Sequence, residues 1–375
     1  MMTSTPATLP KFFSLPVCDS KSIPVPSVGY GTISEDPPRL PQLVCEALRA
    51  GVRHLDCAWE YGVSWEVGEG IRRSGVPRAD IFVTTKIHSH FYHPDHIPLC
   101  VDQMLREMRL EYVDLLLLHL PVALKPTADV ASAVCAPGAS FAERRIEVTT
   151  EQLFVVDAEH SCRDIASANR SSSGGILATW AAMKDEVRSG RARAIGVSNF
   201  CIPQLREILD GDEKDRLDMK IPLSANQIEV HPFAPNRALV DFMKRRSIQP
   251  MAHSPFASSR WLYSPGEGNW YTEPLVPRGR AAMLLDDPVI REIAVKHSMS
   301  PGQVVQSWLV QQGIIPLGRS TRLDRLRANL DVRPLDAADF ARIAALECPE
   351  PEGRCLLLRN TFPGINFIRD LHDTE

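Results

Sequence analysis

Four polar residues stand where strand-like apolar runs end in the first third of this chain. Asp56 ends the run "GVRHLD", Lys86 follows "IFVTT", and His119 ends "VDLLLLH", while Tyr61 comes five residues after Asp56. Each residue alone would be read as a cap, an ion-pair partner or a packing residue. Because the carboxyl ends of parallel strands share one face of a barrel, and that face carries the active site, we expect the four side chains to converge.

These four residue types have a coherent chemical use. A free tyrosine has a pKa near ~10, too high for ready proton release at neutral pH. A neighbouring ammonium stabilises the phenolate and lowers that pKa, and a carboxylate paired with the lysine keeps the ammonium charged and in place. An imidazole can donate a hydrogen bond to a substrate oxygen. The set predicts protonation of a carbonyl oxygen as a hydride arrives at its carbon.

The elements that must position these residues follow a strand–helix alternation. Continuous apolar runs of this kind are typical of strands that are covered on both faces. Helical patterns lie between them, and Asn236 and Ser300 are predicted N-caps of two of these helices. The alternation predicts an α/β fold, a (β/α)₈ TIM barrel with long loops over its carboxyl-terminal face. The predicted strands are 27–31, 53–56, 81–85, 112–118, 192–197, 223–228, 248–253 and 313–316.

Three regions surround or interrupt this rhythm. Residues 1–27 are predicted to form an N-terminal extension and capping hairpin, 28–347 the barrel, and 348–375 a C-terminal tail. Within the barrel, about 122–175 is an insertion rich in Ala, Ser and Thr, and loops of this length are usually lids or disordered segments. The stretch 261–271 carries two Trp and two Tyr. In one interpretation they fold over the active site, and in the alternative they only pack locally.

The bulk composition excludes several classes of protein. The chain has 375 residues, 23% of them charged, and a net charge of −4, so no basic field indicates nucleic acid or a membrane surface. No apolar run reaches the ~18 residues of a transmembrane helix. The nine cysteines form no Cys-x-x-Cys pair, as expected for reduced thiols. We therefore predict a cytoplasmic enzyme, a monomer or weak dimer, with a small-molecule substrate and no nucleic-acid or membrane partner.

Several separate motifs carry a resemblance to a known family. The segments "GVRHLDCAWEYG", "TTK", "LLLLHLP", "IGVSNF" and "NQIEVHP" resemble the serial motifs of the aldo-keto reductase superfamily, in order over about 28–329. The resemblance implies a (β/α)₈ barrel that binds a nicotinamide cofactor without a Rossmann domain. It also implies an oxidoreductase in which Asp56, Tyr61, Lys86 and His119 form the catalytic tetrad, with Tyr61 as the proton donor.

The same motif matching implies a set of cofactor-binding residues. Ser198, Asn199 and Gln227 would hold the nicotinamide carboxamide, because amide and hydroxyl groups pair with its donors and acceptors. The alternative is that Ser198 and Asn199 cap the next helix. The segment 314–330 resembles the adenosine-phosphate stretch, whose arginines fork onto phosphate oxygens and favour NADPH, with NADH still possible; in the alternative they only solvate a helix face. The implied cofactor residues are Thr32, Ser198, Asn199, Gln227, His253, Ser254, Arg319, Ser320, Arg325 and Asn329.

The implied substrate pocket departs from the family pattern. Ile33, His88 and Leu120 stand at positions where the family commonly has aromatic residues, and they are the predicted substrate-pocket residues. The predicted reaction is the NADPH-dependent reduction of an aldehyde or ketone to the alcohol, with aldoses among the candidate substrates.

Two other functions remain open at this stage. The segment "HSHFYHPDH", 88–96, packs four histidines into nine residues, and histidines at barrel strand ends can hold the metal of a hydrolase. In that case the motifs around Ser198 and Gln227 would have no role. The second alternative is a non-enzymatic regulatory subunit that binds the cofactor, against which the intact tetrad argues.

Overall fold

The computed structural model describes residues 8–34, 36–125, 157, 159–162, 175–214, 220–257 and 284–349. Its strands are β1 (Phe12–Pro16), β2 (Ser22–Pro26), β3 (Gly29–Gly31), β4 (His54–Asp56), β5 (Phe82–Ile87), β6 (Val113–Leu118), β7 (Ala192–Ser198), β8 (Leu223–Glu229), β9 (Gln249–His253) and β10 (Ile315–Gly318). Strands β3 to β10 form a closed parallel barrel in which β10 pairs with both β9 and β3. The predicted (β/α)₈ barrel is confirmed, and each predicted strand end falls within two residues of the observed one.

Helices alternate with the barrel strands through the described part of the chain. They are α1 (Leu40–Arg49), α2 (Ser64–Ser74), α3 (Ile97–Met108), α4 (Ile176–Arg188), α5 (Ile202–Lys214), α6 (Arg237–Arg245), α7 (Pro288–Lys296), α8 (Pro301–Gln311), α9 (Leu323–Leu330) and α10 (Ala337–Ala344). Ser300 caps α8 in a capping box with Gln303, as predicted. Asn236 is the N-cap residue of α6, as predicted, but its side chain makes no capping hydrogen bond, and its Nδ2 donates to the carbonyl oxygen of Glu229 at 2.5 Å.

Strand β6 shows why these sequences form buried strands. All six of its residues are buried, and four consecutive leucines supply the apolar surface that a doubly covered strand needs. Asp114 is the one charged residue in β6, and its carboxylate accepts hydrogen bonds from Arg78 at 2.8 Å, Arg193 at 2.7 Å and the backbone N–H of Val83 at 2.9 Å. A buried acid with these partners costs far less than an unpaired one.

The N-terminal hairpin lies against the inside of the barrel. Strands β1 and β2 pair antiparallel, with Phe13 opposite Val25. Leu15, Val17 and Val25 are buried in one apolar cluster with barrel residues, including Phe82 at the start of β5. The hairpin therefore closes the end of the barrel opposite to the carboxyl ends of the strands.

Parts of the predicted loops lie outside the described residues. The aromatic stretch 261–271 and the insertion over 126–156 and 163–174 are among them. The described ends of the insertion are anchored: Cys162 N–H donates to the carbonyl oxygen of Pro121 at 3.2 Å, and Ala123 N–H donates to Ser161 Oγ at 2.9 Å. Across the described ranges, no helix is both long and apolar enough to cross a membrane.

Candidate active site

Asp56 and Lys86 form a buried ion pair at the ends of β4 and β5. Lys86 Nζ lies 2.9 Å from Oδ1 and 2.8 Å from Oδ2 of Asp56, and it donates to the carbonyl oxygen of Cys57 at 2.9 Å. The Lys86 side chain has no exposed surface. Its ammonium is therefore held by three oxygens in a site that excludes water, and its orientation is fixed before any substrate arrives.

Tyr61 and His119 lie beside this pair. Tyr61 ends the short 3₁₀ turn Trp59–Tyr61, which follows β4. Its hydroxyl is 3.4 Å from Lys86 Nζ, and its ring meets the ring of His119 edge to face at a centroid distance of 5.9 Å. The structure thus brings together all four residues that the sequence analysis placed at the carboxyl ends of three strands.

The pKa of Tyr61 is shifted in the direction opposite to the sequence-based expectation. Burial raises the pKa of Tyr61 to about 12 and outweighs the ammonium of Lys86, which acts to lower it. Burial also works against the charge of Lys86, but Asp56 and Tyr61 together raise the pKa of Lys86 above its usual value. The expectation that Lys86 brings the Tyr61 pKa below ~10 considered the charge alone and missed the burial. Tyr61 is a neutral phenol and Lys86 a cation at neutral pH.

Glu60 is a residue of this site that the sequence analysis missed. Its Oε2 lies 3.1 Å from Nδ1 of His119, and its Oε1 lies 3.5 Å from Nε2 of His88. Burial lowers the pKa of His119 to about 3, although the charge of Glu60 acts in the opposite direction. His119 is therefore a neutral imidazole at neutral pH. The signal available in the sequence was the position of Glu60, directly before Tyr61.

The residues expected to hold the nicotinamide lie around Asp56 and His119. Gln227 Nε2 donates to Asp56 Oδ1 at 2.7 Å, and Ser198 Oγ donates to the carbonyl oxygen of Gln227 at 2.8 Å. Asn199 Nδ2 donates to the carbonyl oxygen of His119 at 3.1 Å. The alternative of a helix cap is wrong, because the side chains of Ser198 and Asn199 point to these partners rather than to the first turn of α5.

Three further predicted cofactor residues frame this group. Thr32 follows β3, and both its N–H and its hydroxyl donate to the carbonyl oxygen of Asp56, each at 3.0 Å. His253 ends β9, with Nε2 2.9 Å from Asn199 Oδ1 and Nδ1 3.2 Å from Ser254 Oγ. Ser254 has a positive φ of 51°, which turns the chain sharply out of the barrel.

The residues expected to bind the adenosine phosphate lie directly after β10 and along α9. Arg319 and Ser320 come directly after β10, and the carbonyl oxygen of Ser320 accepts a hydrogen bond from Tyr30 at 3.2 Å. Arg325 is exposed in the first turn of α9, whereas Asn329 near its end is buried. Exposed arginine at a helix N-terminus is suited to an anion.

The predicted pocket residues have three different environments. His88 lies against Glu60, as described above. The backbone of Leu120 is tied to the Tyr92 hydroxyl, which donates to its carbonyl oxygen at 2.7 Å and accepts from its N–H at 3.0 Å. Ile33 is partly buried one residue beyond Thr32.

The histidines of 88–96 do not form a metal site. The rings of His88 and His90 stack at a centroid distance of 4.8 Å, while His93 lies against His160 at 4.9 Å. Among the residues that the structure describes, the group of three suitable ligand atoms within 4.8 Å is His297, Asp336 and Asp339. This group lies at α7 and α10, away from the strand ends, and the ammonium of Lys296 binds both of its carboxylates. The metal-hydrolase alternative is thus without support.

A closed parallel barrel with a tyrosine, a lysine, an aspartate and a histidine in contact at its strand ends defines an oxidoreductase that acts on carbonyl groups. Comparison with family models agrees, since residues 28–347 match the aldo/keto reductase family. The chain belongs to this family, and the resemblance seen in its motifs is confirmed.

Similar proteins and a similar solved structure also indicate the aldo/keto reductase family. The chain is 32% identical over 330 residues to "Glycerol 2-dehydrogenase (NADP(+))" of Saccharomyces cerevisiae, covering 88% of this chain and 90% of that protein. It is 30% identical over 336 residues to "NAD(P)H-dependent D-xylose reductase" of Scheffersomyces stipitis, covering 86% and 91%. The aldose reductase from Schistosoma japonicum has a similar structure, with a TM-score of 0.68, 26% identity and coverage of 91% and 93%.

Proposed function

We propose that this chain reduces the carbonyl group of a small polar aldehyde or ketone to the alcohol with NADPH, and that Tyr61 donates the proton. One observation carries the proposal: Lys86 Nζ lies between both carboxylate oxygens of Asp56 and the hydroxyl of Tyr61. Tyr61 is the acid, Lys86 is the cation that stabilises its conjugate base, and Asp56 is the carboxylate that holds the cation.

The residues present fit a nicotinamide cofactor with an added phosphate. Ser198, Asn199 and Gln227 supply hydroxyl and amide groups beside the tetrad, within reach of a carboxamide. Arg325 is exposed at the start of α9 and forms no ion pair with any other described residue. A guanidinium in this position favours NADPH over NADH, because it can pair with the additional phosphate oxygens. The hydride that reaches the carbonyl carbon comes from NADPH when this cofactor is bound.

The protein's own part of the reaction is the movement of one proton. With a pKa of about 12, Tyr61 keeps its proton until a carbonyl oxygen gains charge. The proton then passes from the Tyr61 hydroxyl to that oxygen, and the resulting phenolate lies beside the ammonium of Lys86. Because the site is buried, this charge contact is stronger than it would be in water. Asp56 keeps the ammonium in place through both of its oxygens.

The walls of the site support a polar substrate. His119, neutral at physiological pH, lies at the Tyr61 ring and would orient the carbonyl compound. Glu60 and His88 add a carboxylate and a second imidazole close by. The named substrates of the two relatives, glycerol and D-xylose, are both polyhydroxylated, which favours a small hydroxylated carbonyl compound here.

The proposal is tested by cofactor binding and turnover measured together. The purified chain is titrated with NADPH and with NADH by fluorescence, and absorbance at 340 nm is then followed with a panel of aldehydes, ketones and aldoses. Tighter binding of NADPH with loss of absorbance on some carbonyl compound is the expected result. Binding without turnover on any carbonyl compound would favour a regulatory subunit, and binding of neither nucleotide would overturn the proposal.

A further inference from the structure

Tyr30 is a buried phenol that belongs neither to the tetrad nor to the expected cofactor residues. It lies in the middle of β3, only 2% of its surface is exposed, and it packs in one apolar cluster with Leu40 and Leu43 of α1. A phenylalanine would fill the same space without bringing a hydroxyl into the core. Because a buried tyrosine usually finds a partner for its hydroxyl, that partner indicates what the residue adds.

The hydroxyl of Tyr30 donates to the carbonyl oxygen of Ser320 at 3.2 Å. The pairing of β3 with β10 ends at Tyr30 and Gly318, and the chain then runs through 319–322 before α9 begins. A Cβ atom on Gly31 would lie 3.9 Å from the Cβ atom of Arg319, so the end of β3 lies against the start of this segment. The side chain of Tyr30 therefore extends the contact between β3 and β10 beyond the last paired residues.

The surroundings of this hydroxyl are positively charged. Burial raises the pKa of Tyr30 to about 12, although the charges of Arg319 and of the exposed Arg39 act to lower it. Tyr30 is therefore a neutral phenol that donates its hydrogen bond at neutral pH. The guanidinium of Arg322, in contrast, is paired with Asp324 at 2.6 Å. A main-chain segment that carries arginine beside a neutral donor is suited to a phosphate group.

We propose that Tyr30 is a positioning residue that fixes the main chain of 319–322, so that Arg319 and Ser320 are in place before the additional phosphate of NADPH arrives. This inference rests on the proposed function, which includes a phosphate contact next to α9. Ser320 is held at two points, since its carbonyl oxygen accepts from Tyr30 and its Oγ accepts from the N–H of Arg322 at 3.1 Å. A segment ordered in advance loses less conformational freedom on binding, which raises the affinity. NADH lacks this phosphate and gains nothing from the order.

The Kd values of the full chain for NADPH and NADH, measured by fluorescence titration, test the proposal. Tyr30→Phe keeps the ring and removes the hydroxyl. It should raise the Kd for NADPH about fivefold, the effect of one lost hydrogen bond, and leave the Kd for NADH within about twofold. The matched control Tyr92→Phe removes the bond from another buried hydroxyl to the carbonyl oxygen of Leu120, and it should leave the ratio of the two Kd values unchanged. Equal weakening of both nucleotides in Tyr30→Phe, or no change in either, would overturn the proposal.

A double-variant cycle shows whether Tyr30 acts through the segment that carries Arg319. Adding Tyr30→Phe to Arg319→Ala should raise the Kd for NADPH less than about twofold, because the guanidinium that Tyr30 positions is already absent. A rise as large as in the wild-type background would indicate a general loss of packing and would overturn the proposal.

Turnover separates this inference from the proposed function. With a carbonyl compound that the wild type reduces, Tyr30→Phe should raise the KM for NADPH and leave kcat unchanged, since the tetrad is intact. A rise of about fivefold in the Kd for NADPH without turnover in any variant would support the role of Tyr30 and refute the proposed reduction. Binding of neither nucleotide by the wild type would overturn both.

Discussion

Replacing Lys86 by methionine removes the charge that compensates the buried carboxylate of Asp56. Lys86 Nζ contacts both carboxylate oxygens and has no exposed surface. Breaking a buried ion pair from one side usually costs ~3–5 kcal/mol. Gln227 still donates to Asp56 at 2.7 Å in the variant, so we expect a loss near the lower end, about 3 kcal/mol in the free energy of unfolding.

The double variant Lys86→Met, Asp56→Asn separates this effect from simple loss of packing. Asparagine keeps the size of Asp56 without its charge, so no buried carboxylate remains to be compensated. The double variant should recover about 2 kcal/mol relative to Lys86→Met alone, since the cost of the single change lies in the unpaired charge. Urea unfolding followed by circular dichroism gives both values. A loss below about 1 kcal/mol in Lys86→Met, or no recovery in the double variant, would refute the reasoning.

Turnover of the same variants tests the other role of Lys86. Both lack the ammonium beside Tyr61, so both should lose ~10²–10⁴-fold in kcat, the usual contribution of acid catalysis. Recovery of stability without recovery of turnover is the expected combination. If the kcat of Lys86→Met were within about tenfold of the wild-type kcat, the proposed role of Lys86 in proton transfer would be wrong.

Three further predictions follow from the site and the core. Tyr61→Phe should lose at least ~10²-fold in kcat while the Kd for NADPH stays within a few-fold, and stopped-flow turnover together with a fluorescence titration checks this; comparable turnover would contradict the proton-donor role. Arg325→Ala should raise the Kd for NADPH about tenfold and leave that for NADH unchanged, so equal weakening of both would exclude a phosphate contact. Burial lowers the pKa of His54 from 6.5 to about 3, so the unfolded chain binds a proton that the folded chain does not. The stability due to this difference is complete above pH 6.5 and is lost as the pH falls towards 3, by about 2 kcal/mol at pH 5. Unfolding free energies at pH 7 and pH 5 should therefore differ less in His54→Asn than in the wild type, and an equal difference would contradict the lowered pKa.

Local sequence patterns were sufficient for the barrel and for the group at its strand ends. Strand β6 is buried on both faces, so its apolar residues follow one another without interruption. The change from leucine to His119 therefore marks the end of the strand in the sequence. The same holds for Lys86 near the end of β5. In a barrel, a strand end specifies both the depth and the direction of the residue there, so the meeting of these residues could be predicted without knowledge of the loops.

Burial that depends on a loop could not be predicted in this way. Glu60 is charged and lies between strands, which in most sequences indicates an exposed residue. It is buried because the turn Trp59–Tyr61 lies over His88 and His119, and only the tertiary structure shows this. The direction of the Tyr61 pKa shift was missed for the same reason, since the charge of Lys86 is visible in the sequence and the burial of Tyr61 is not. Asn236 is at the expected N-cap position, but its side chain makes no capping hydrogen bond, because it donates to the carbonyl oxygen of Glu229 at the end of β8.

Asp56 also ties parts of the barrel together. Its carbonyl oxygen receives Thr32 beyond β3, and its carboxylate receives Lys86 of β5 and Gln227 of β8. One residue thus links strands from opposite sides of the barrel as well as serving the proposed reaction. Loss of either Asp56 or Lys86 alone would therefore weaken the fold even in a chain that had lost its substrate, because the other charge would remain buried without its partner. Among the described residues, Tyr61 has no such structural tie through its hydroxyl, which lies 3.4 Å from Lys86 Nζ.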